Sequence, residues 1–391
     1  MAPIRAVVVV LAGGAGGRLE LLTDDRAKPA VPYGGSYRLI DVPLSNALHS
    51  GLSDVWVVQQ FHPVSLEDHL ANGRPWDLDR TTGGLLLLHP SQGTDKEGWH
   101  SGTADALWRQ SDLVRDFGPE AVVVVSADAV YRLDYESLVR EHRGSGAALT
   151  MVTTTVDPDD ASRYGVVRVD GEGRVTDYAY KPHEPAGNLV SNEVFVFDTD
   201  ALVGLLDELA ADAGEDGLRD LGDALLPRLV ESGRAREHRF DGYWRDLGTV
   251  GSYWSAHMDL LSDSPPFVPD DPSWPLRTHA RRQGAARVAD GARISRSLLA
   301  AGAHVAGTVT RSVLSGDAVV EAGAEVRDSV LLPGAVVRAG AVVERAILDD
   351  GVEIGAGARV GGPGSTALVG RHGRVAPGTS VPASGRYPEP G

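Results

Sequence analysis

Between residues 297 and 362 the chain repeats itself, and that repeat restricts its fold more than any other feature. SLLAAGAHVAGTVTR (297–311), SVLSGDAVVEAGAEVRD (312–328), SVLLPGAVVRAGAVVER (329–345) and AILDDGVEIGAGARVGG (346–362) follow in tandem, and three of the four are 17 residues long. Each carries aliphatic residues spaced near six, with Gly or Ala between them. Such a unit makes one triangular coil of a parallel β-helix, with aliphatics stacked inside and small residues at the corners. Glycine-rich loops with chance valines would not keep this register.

Residues 1–262 have a different texture. Short Val-rich runs (Ala6–Ala12, Val55–Phe61, Ala121–Ala127, Ala147–Val156, Gly165–Asp170, Leu189–Asp198) alternate with amphipathic stretches near Val42–Ser50, Pro63–Leu70, Thr103–Val114, Tyr135–His142, Asp200–Ala211, Leu218–Ser232 and Val250–Leu261. Strands alternating with helices predict a doubly wound, mostly parallel α/β sheet, which binds ligands beyond the carboxyl ends of its strands. SPPFVPDDPSWP (264–275) is rich in proline and acid and reads as a linker. The expected organisation is a catalytic α/β domain over 1–262, a linker over 263–284 and a left-handed β-helix over 285–380.

Composition narrows the function. The net charge of −17 opposes a nucleic-acid-binding surface. No apolar run approaches the roughly 20 residues needed to span a bilayer, and the apolar N-terminus reads as a first strand rather than a signal peptide. The absence of cysteine excludes disulfide and thiolate chemistry and makes the cytoplasm the expected location. Only three of the 37 basic residues are lysines: Lys28, Lys96 and Lys181. A chain that uses Arg for its ordinary surface cations places a lysine where a compact ammonium is wanted.

Two centres carry chemistry. The first is Leu11-Ala12-Gly13-Gly14-Ala15-Gly16-Gly17-Arg18-Leu19, directly after the first strand. Its glycines let backbone N–H groups approach phosphates, and Arg18 adds charge. It is neither a dinucleotide fingerprint, because Leu19 stands at the third glycine, nor a P-loop, because no Gly-Lys-Ser/Thr follows. Thr23–Val31, with Arg26 and Lys28, is placed to fold back over the same phosphates. The second centre is Asp128, at the end of the strand Val122–Ala127. A buried carboxylate there needs a partner, and Mg²⁺ shared with Asp246 would supply one. Taken singly, the glycine loop is also compatible with a tight turn, and each aspartate with a structural role.

These pieces in this order resemble the sugar-nucleotide pyrophosphorylases, most closely the ADP-glucose pyrophosphorylase type. The matching segments are Leu11–Leu19, Arg26–Val31, Gly102-Thr103-Ala104-Asp105-Ala106, Tyr164–Val167, Lys181-Pro182 and Tyr243–Thr249. The resemblance implies an NTP and a phosphorylated sugar as substrates, with pyrophosphate released. It implies Mg²⁺ on Asp128 and Asp246, with Arg18 and Lys28 stabilising the leaving pyrophosphate. Leu11, Ala12, Gly13, Gly14, Gln60, Gly102 and Thr103 would hold the nucleotide. His100, Gly165, Tyr180, Lys181, Ser191 and Glu193 would form the sugar-phosphate site, with Lys181 on the phosphate. The β-helix would serve oligomerisation, as a dimer or tetramer, and regulation.

The departures from the family pattern gather at the sugar site. His100-Ser101 replaces Tyr-Arg, Ala127-Asp128-Ala129 replaces Gly-Asp-His, Tyr180 replaces Glu, and Asn192-Glu193 replaces Met-Gly. The phosphate anchors persist while the groups that would read hydroxyls change. A cyclitol phosphate of the valienol type is therefore the first expectation for the acceptor and glucose-1-phosphate the alternative. The base stays open between adenine and guanine. Ser36 stands where the family often has a lysine that binds a phosphorylated activator, which predicts weak activation. Two rival readings are a non-catalytic regulatory paralogue, disfavoured by the retained Lys28, Asp128, Lys181 and Asp246, and an acyltransferase β-helix, whose histidine base would have to be His304.

Overall fold

The computed structural model describes residues 5–14, 16–92, 96–213, 217–280 and 282–388. Strand β1 (Ala6–Leu11) is a run of four valines buried on both sides, as a central strand of a covered parallel sheet requires. It lies between β2 (Asp54–Val58) and β4 (Ala121–Ser126), parallel to both, and β3 (Gly84–Leu88) extends the sheet beyond β2. On the other side β9 (Leu189–Asp198) runs antiparallel to β4. Beyond it lie β7 (Gly165–Val169) and β8 (Val175–Tyr180), while β6 (Leu149–Thr155) and β10 (Ala235–Arg239) branch from β9. Alternate residues face opposite layers. Val8, Val10, Val123 and Val125 pack on one side with Leu44 of α1 (Asp41–His49) and Leu66 of α2 (Pro63–Leu70). Val7, Val9, Val122 and Val124 pack on the other with α3 (Thr103–Arg109), α6 (Thr199–Ala213) and α7 (Leu221–Glu231). This is the expected doubly wound α/β layer.

The single helix expected over Thr103–Val114 is two. At Gln110 the chain turns (φ −98°, ψ 2°) and α4 (Ser111–Phe117) begins afresh. The other expected helices are present, among them α5 (Tyr135–Ser145) and α8 (Val250–Asp259).

The C-terminal third is the expected left-handed β-helix, built as three parallel six-stranded sheets. Its first rung starts at Arg287–Val288, before the four repeats recognised in the sequence, and its last reaches Arg386–Tyr387, past residue 380. Inside, Val305, Val320, Val337, Ile354 and Val375 stack in one column, and Val309, Val326, Val343, Val360 and Val381 in another. His304 is exposed on a rung.

The third sheet is covered on both faces. Leu331, Leu348 and Val369 point into the coil, whereas Val330, Leu332, Ile347 and Leu368 belong to the same buried cluster as Val8 and Val10. The β-helix is therefore packed into the α/β domain. Polar contacts reinforce the seam. Arg26 pairs with Asp349 and, at 3.1 Å, with Asp350. Arg386 pairs with Glu20. The Trp254 indole donates to the Asp328 carbonyl at 2.6 Å, and the Arg345 guanidinium lies 3.9 Å from the Trp254 ring centre. The basic segment thus divides its charges: Arg26 turns to the β-helix instead of the phosphates, and only Lys28 faces the glycine loop.

The linker is strapped down rather than loose. Trp274 Nε1 donates to Asn46 Oδ1 at 3.0 Å, Arg132 pairs with Asp271 at 2.9 Å, and Phe267 is buried against Tyr243. Among the described residues no helix is long and apolar enough to cross a membrane.

Candidate active site

A cavity of about 640 Å³ opens at the carboxyl ends of β1 and β4. The position follows from the fold: parallel strands present their loops together at this edge. Of the expected residues, Leu11, Ala12, Gly13, Gly14, Arg18, Lys28, Gln60, His100, Gly102, Thr103, Asp128, Gly165, Tyr180, Lys181, Ser191 and Glu193 line it. Ala15 lies outside the described residues. Asp246 is buried just behind the lining residue Gly248, where it approaches Arg18.

A short ladder brings the two aspartates together. β5 (Ala129–Tyr131) pairs antiparallel with β11 (Trp244–Asp246), setting Asp246 opposite Ala129, and Leu247 N–H donates to the Asp128 carbonyl at 3.0 Å. Lys28 Nζ donates to Asp128 Oδ2 at 2.5 Å, and the Ser126 hydroxyl donates to the other carboxylate oxygen. Arg163 reaches Asp246 at 3.1 Å. Burial acts most strongly on Asp128 and would raise it, but the Lys28 ammonium, the Ser126 hydroxyl and Arg18 together hold the carboxyl below its ordinary range. Burial raises Asp246, and the neighbouring Asp128 charge raises it further. Lys28 is raised: its burial opposes charge, but Asp128 and Asp246 overcome it.

Two adjacent carboxylates that raise one another's cost of ionisation suit a hard divalent cation. Mg²⁺ takes one or two carboxylates and fills its shell with phosphate and water oxygens. Among the described residues no group of three or more His, Cys, Asp or Glu could hold a metal, so phosphate would have to complete the site.

The nucleotide end is built on backbone. Ala12 N–H is used by the Val58 carbonyl at 2.8 Å, which leaves the glycines after it to face the cavity. Gln60 and His100 latch reciprocally: His100 N–H donates to Gln60 Oε1 at 2.6 Å and Gln60 Nε2 donates back at 3.2 Å. His100 Nε2 is buried with no partner among the described residues, and burial lowers the imidazole pKa, keeping it neutral. Gly102 is fixed by close approach, since a Cβ there would stand 2.3 Å from the Arg219 carbonyl carbon. Thr103 lines the cavity and turns its polar groups to the start of α7. Its N–H and hydroxyl hold Asp220 at 3.1 and 3.2 Å, and its oxygen accepts the Leu221 N–H at 2.8 Å.

The opposite end is a network on β8, β9 and the start of α7. Lys181 Nζ donates to the Tyr180 hydroxyl at 2.7 Å, and that hydroxyl donates to Asp220 Oδ2 at 3.1 Å. The Tyr180 ring lies flush on α7, where a Cβ at Gly222 would meet it at 2.2 Å, and Gly165 backs onto Tyr178 in the same way. Ser191 Oγ accepts the Glu193 N–H at 3.2 Å. Burial, then the charge of Asp128, push the Glu193 carboxyl up to about 7. Asp220, Ser126, Tyr178 and Arg163 were absent from the sequence reading. Only Asp220 carried a signal, as a capping-type residue directly before a helical run.

Residues 7–263 match the nucleotidyl transferase family, and residues 283–366 match the GlmU-like C-terminal hexapeptide family. The first match covers well over half of the chain. This protein belongs to the nucleotidyl transferase family. Its curated relatives include the glucose-1-phosphate adenylyltransferases of Thermomicrobium roseum (42% identical; 76% of this chain, 69% of the relative) and Thermosipho africanus (38%; 83% and 78%). That of Thermotoga neapolitana is 41% identical over 79% of this chain and 73% of its own. A nucleotidyl transferase with this site is an enzyme, and its glycine loop, Lys28 and Asp128 occupy one wall of one cavity.

Proposed function

We propose that the chain transfers an adenylyl group from ATP to a hexose-1-phosphate, glucose-1-phosphate first, and releases pyrophosphate. The observation that carries this is the single cavity with two unlike ends. A glycine-and-lysine end suits a triphosphate, and a Tyr180–Lys181–Asp220–Glu193 end suits a hydroxylated phosphate. The relatives named above favour glucose-1-phosphate over the cyclitol phosphate placed first on sequence grounds.

In this reading a phosphate oxygen of the acceptor attacks the α-phosphorus in line. The new O–P bond forms as the bond to the β-phosphate oxygen breaks, with no net proton transfer. Such reactions are accelerated by positioning and charge stabilisation. Lys28 and Arg18 neutralise the departing pyrophosphate, Lys181 anchors the acceptor phosphate, and the Gln60–His100 latch fixes the loop over the nucleotide. Asp128 and Asp246 would hold Mg²⁺, which when bound supplies charge neutralisation at the phosphates.

A second reading keeps the reaction and changes the acceptor. The aromatic Tyr180 and the carboxylate at Glu193 favour a ring-modified acceptor such as a valienol-type cyclitol phosphate. Pyrophosphate release from four NTPs, with Mg²⁺, against glucose-1-phosphate, glucosamine-1-phosphate and valienol-1-phosphate tests both. ATP with glucose-1-phosphate is the expected pair. Activity confined to the cyclitol selects the second reading, and silence across the panel defeats both.

A further inference from the structure

Among the described residues of the cavity wall, Glu193 is the one acid whose carboxylate is not already engaged. Asp128 is held by Lys28 and Ser126, and Asp220 by Thr103 and Tyr180. Asp246, behind the wall, is held by Arg163. Among the described residues no hydrogen bond or ion pair reaches the Glu193 carboxylate; only its backbone N–H is bonded, to Ser191. The backbone there is strained as well. Glu193 has φ +59°, in the left-handed region that a non-glycine residue occupies at a cost of order 1–3 kcal/mol. The register of β9 on β6 slips between Ser191 and Phe195, so residue 193 stands outside the ladder, in a bulge beside the cavity. Bulges of this kind re-aim a side chain.

A carboxylate only accepts, so the missing partner is a donor. It cannot be phosphate, which Lys181 and Lys28 serve and which Glu193 repels. Glu193 stands between the two halves of the cavity, with Asp128, Asp246 and Lys28 on one side and Tyr178, Tyr180 and Lys181 of the acceptor end on the other.

We infer that Glu193 is a specificity-determining residue: its carboxylate accepts hydrogen bonds from ring hydroxyls of the acceptor, and the left-handed bulge is retained because it aims that carboxylate into the cavity. The inference rests on the acceptor being a hydroxylated ring phosphate, as proposed above.

The test uses the full chain, with Glu193→Gln and Glu193→Gly. Hydrogen bonds to a charged acceptor predict a rise in the acceptor KM of about 10- to 100-fold in both variants. The KM for ATP and the Mg²⁺ concentration for half-maximal rate should stay within about twofold. Glu193→Gly should also raise Tm by about 2 °C, because glycine takes the left-handed backbone without strain. An unchanged acceptor KM overturns the inference. So does a shifted Mg²⁺ requirement with an unmoved acceptor KM, which would make Glu193 a metal ligand. The acceptor-induced rise in Tm keeps the inference separate from turnover. Glucose-1-phosphate and valienol-1-phosphate should stabilise the wild type and lose that effect in Glu193→Gln, whether or not pyrophosphate is released. Equal stabilisation of both proteins, or stabilisation of neither, overturns it.

Discussion

Replacing Asp349 by asparagine removes one charge from a pair that solvent barely reaches. The Arg26 side chain is 4% exposed and that of Asp349 fully buried, while Asp350 is 19% exposed. Breaking a buried pair by deleting one partner costs about 3–5 kcal/mol, because the other charge is left stranded. Arg26 keeps Asp350 at 3.1 Å and the Leu22 carbonyl at 2.9 Å, so the low end applies and Asp349→Asn should cost about 3 kcal/mol. Urea denaturation of the wild type and the variant at pH 7.5 reads the difference. Asp350→Asn, at the wetter oxygen, should cost about 1 kcal/mol or less. Arg26→Met with Asp349→Leu removes both charges together and should return to within about 1 kcal/mol of wild type. Arg26 lies two residues before Lys28, so Asp349→Asn should also lower kcat more than it alters the KM for ATP. A loss under about 1 kcal/mol for Asp349→Asn, or no recovery in the double variant, refutes the reasoning.

Three further outcomes are expected. Asp128→Asn should lower kcat by about 10²–10³, the scale of one preorganised electrostatic element, and near-normal turnover would remove Asp128 from the metal site. Gly222→Ala places a methyl 2.2 Å from the Tyr180 ring and should displace it, raising the acceptor KM while leaving the KM for ATP unmoved; steady-state kinetics decides. Burial lowers His257 to about 4 from an unfolded value near 6.5. Its neutral form contributes stability that is complete above pH 6.5 and is lost as pH falls toward 4, about 2 kcal/mol of it by pH 5. His257→Gln should flatten the stability slope between pH 7 and 5 by that amount, and an unchanged slope would refute the assignment.

The sequence disclosed those parts in which one local pattern decides the outcome. Val7–Val10 and Val122–Val125 could be little but covered parallel strands, and the spacing of the repeats set the coil. It was weaker where pairing decides. Val175–Tyr180 alternates poorly because Tyr178 and Tyr180 face the cavity, and Trp244–Asp246 is a strand only because Ala129–Tyr131 lies beside it. The first rung falls inside the expected 285–380 but outside the four tandem repeats, because only Val288 and Ile294 keep the six-residue spacing there while Arg287 and Arg293 dilute it. In the site, each charged residue was visible but its partner was not. Arg26 and Lys28 look alike in sequence, yet one meets Asp349, 323 residues away, and the other Asp128. Asp220 was hidden because its role is to join two helix starts that only the fold brings together.

The sheet covered on both faces has a consequence for synthesis. The α/β fold is complete by about residue 262, but Val330, Ile347 and Leu368, which close its core, leave the ribosome only afterwards. At translation rates of roughly 5–20 residues per second, those about 100 residues take about 5–20 s. Through that interval the finished catalytic half presents an open apolar face. The β-helix thus serves as the last side of that core, and a shortened chain ending near residue 262 would carry the nascent state's exposure permanently.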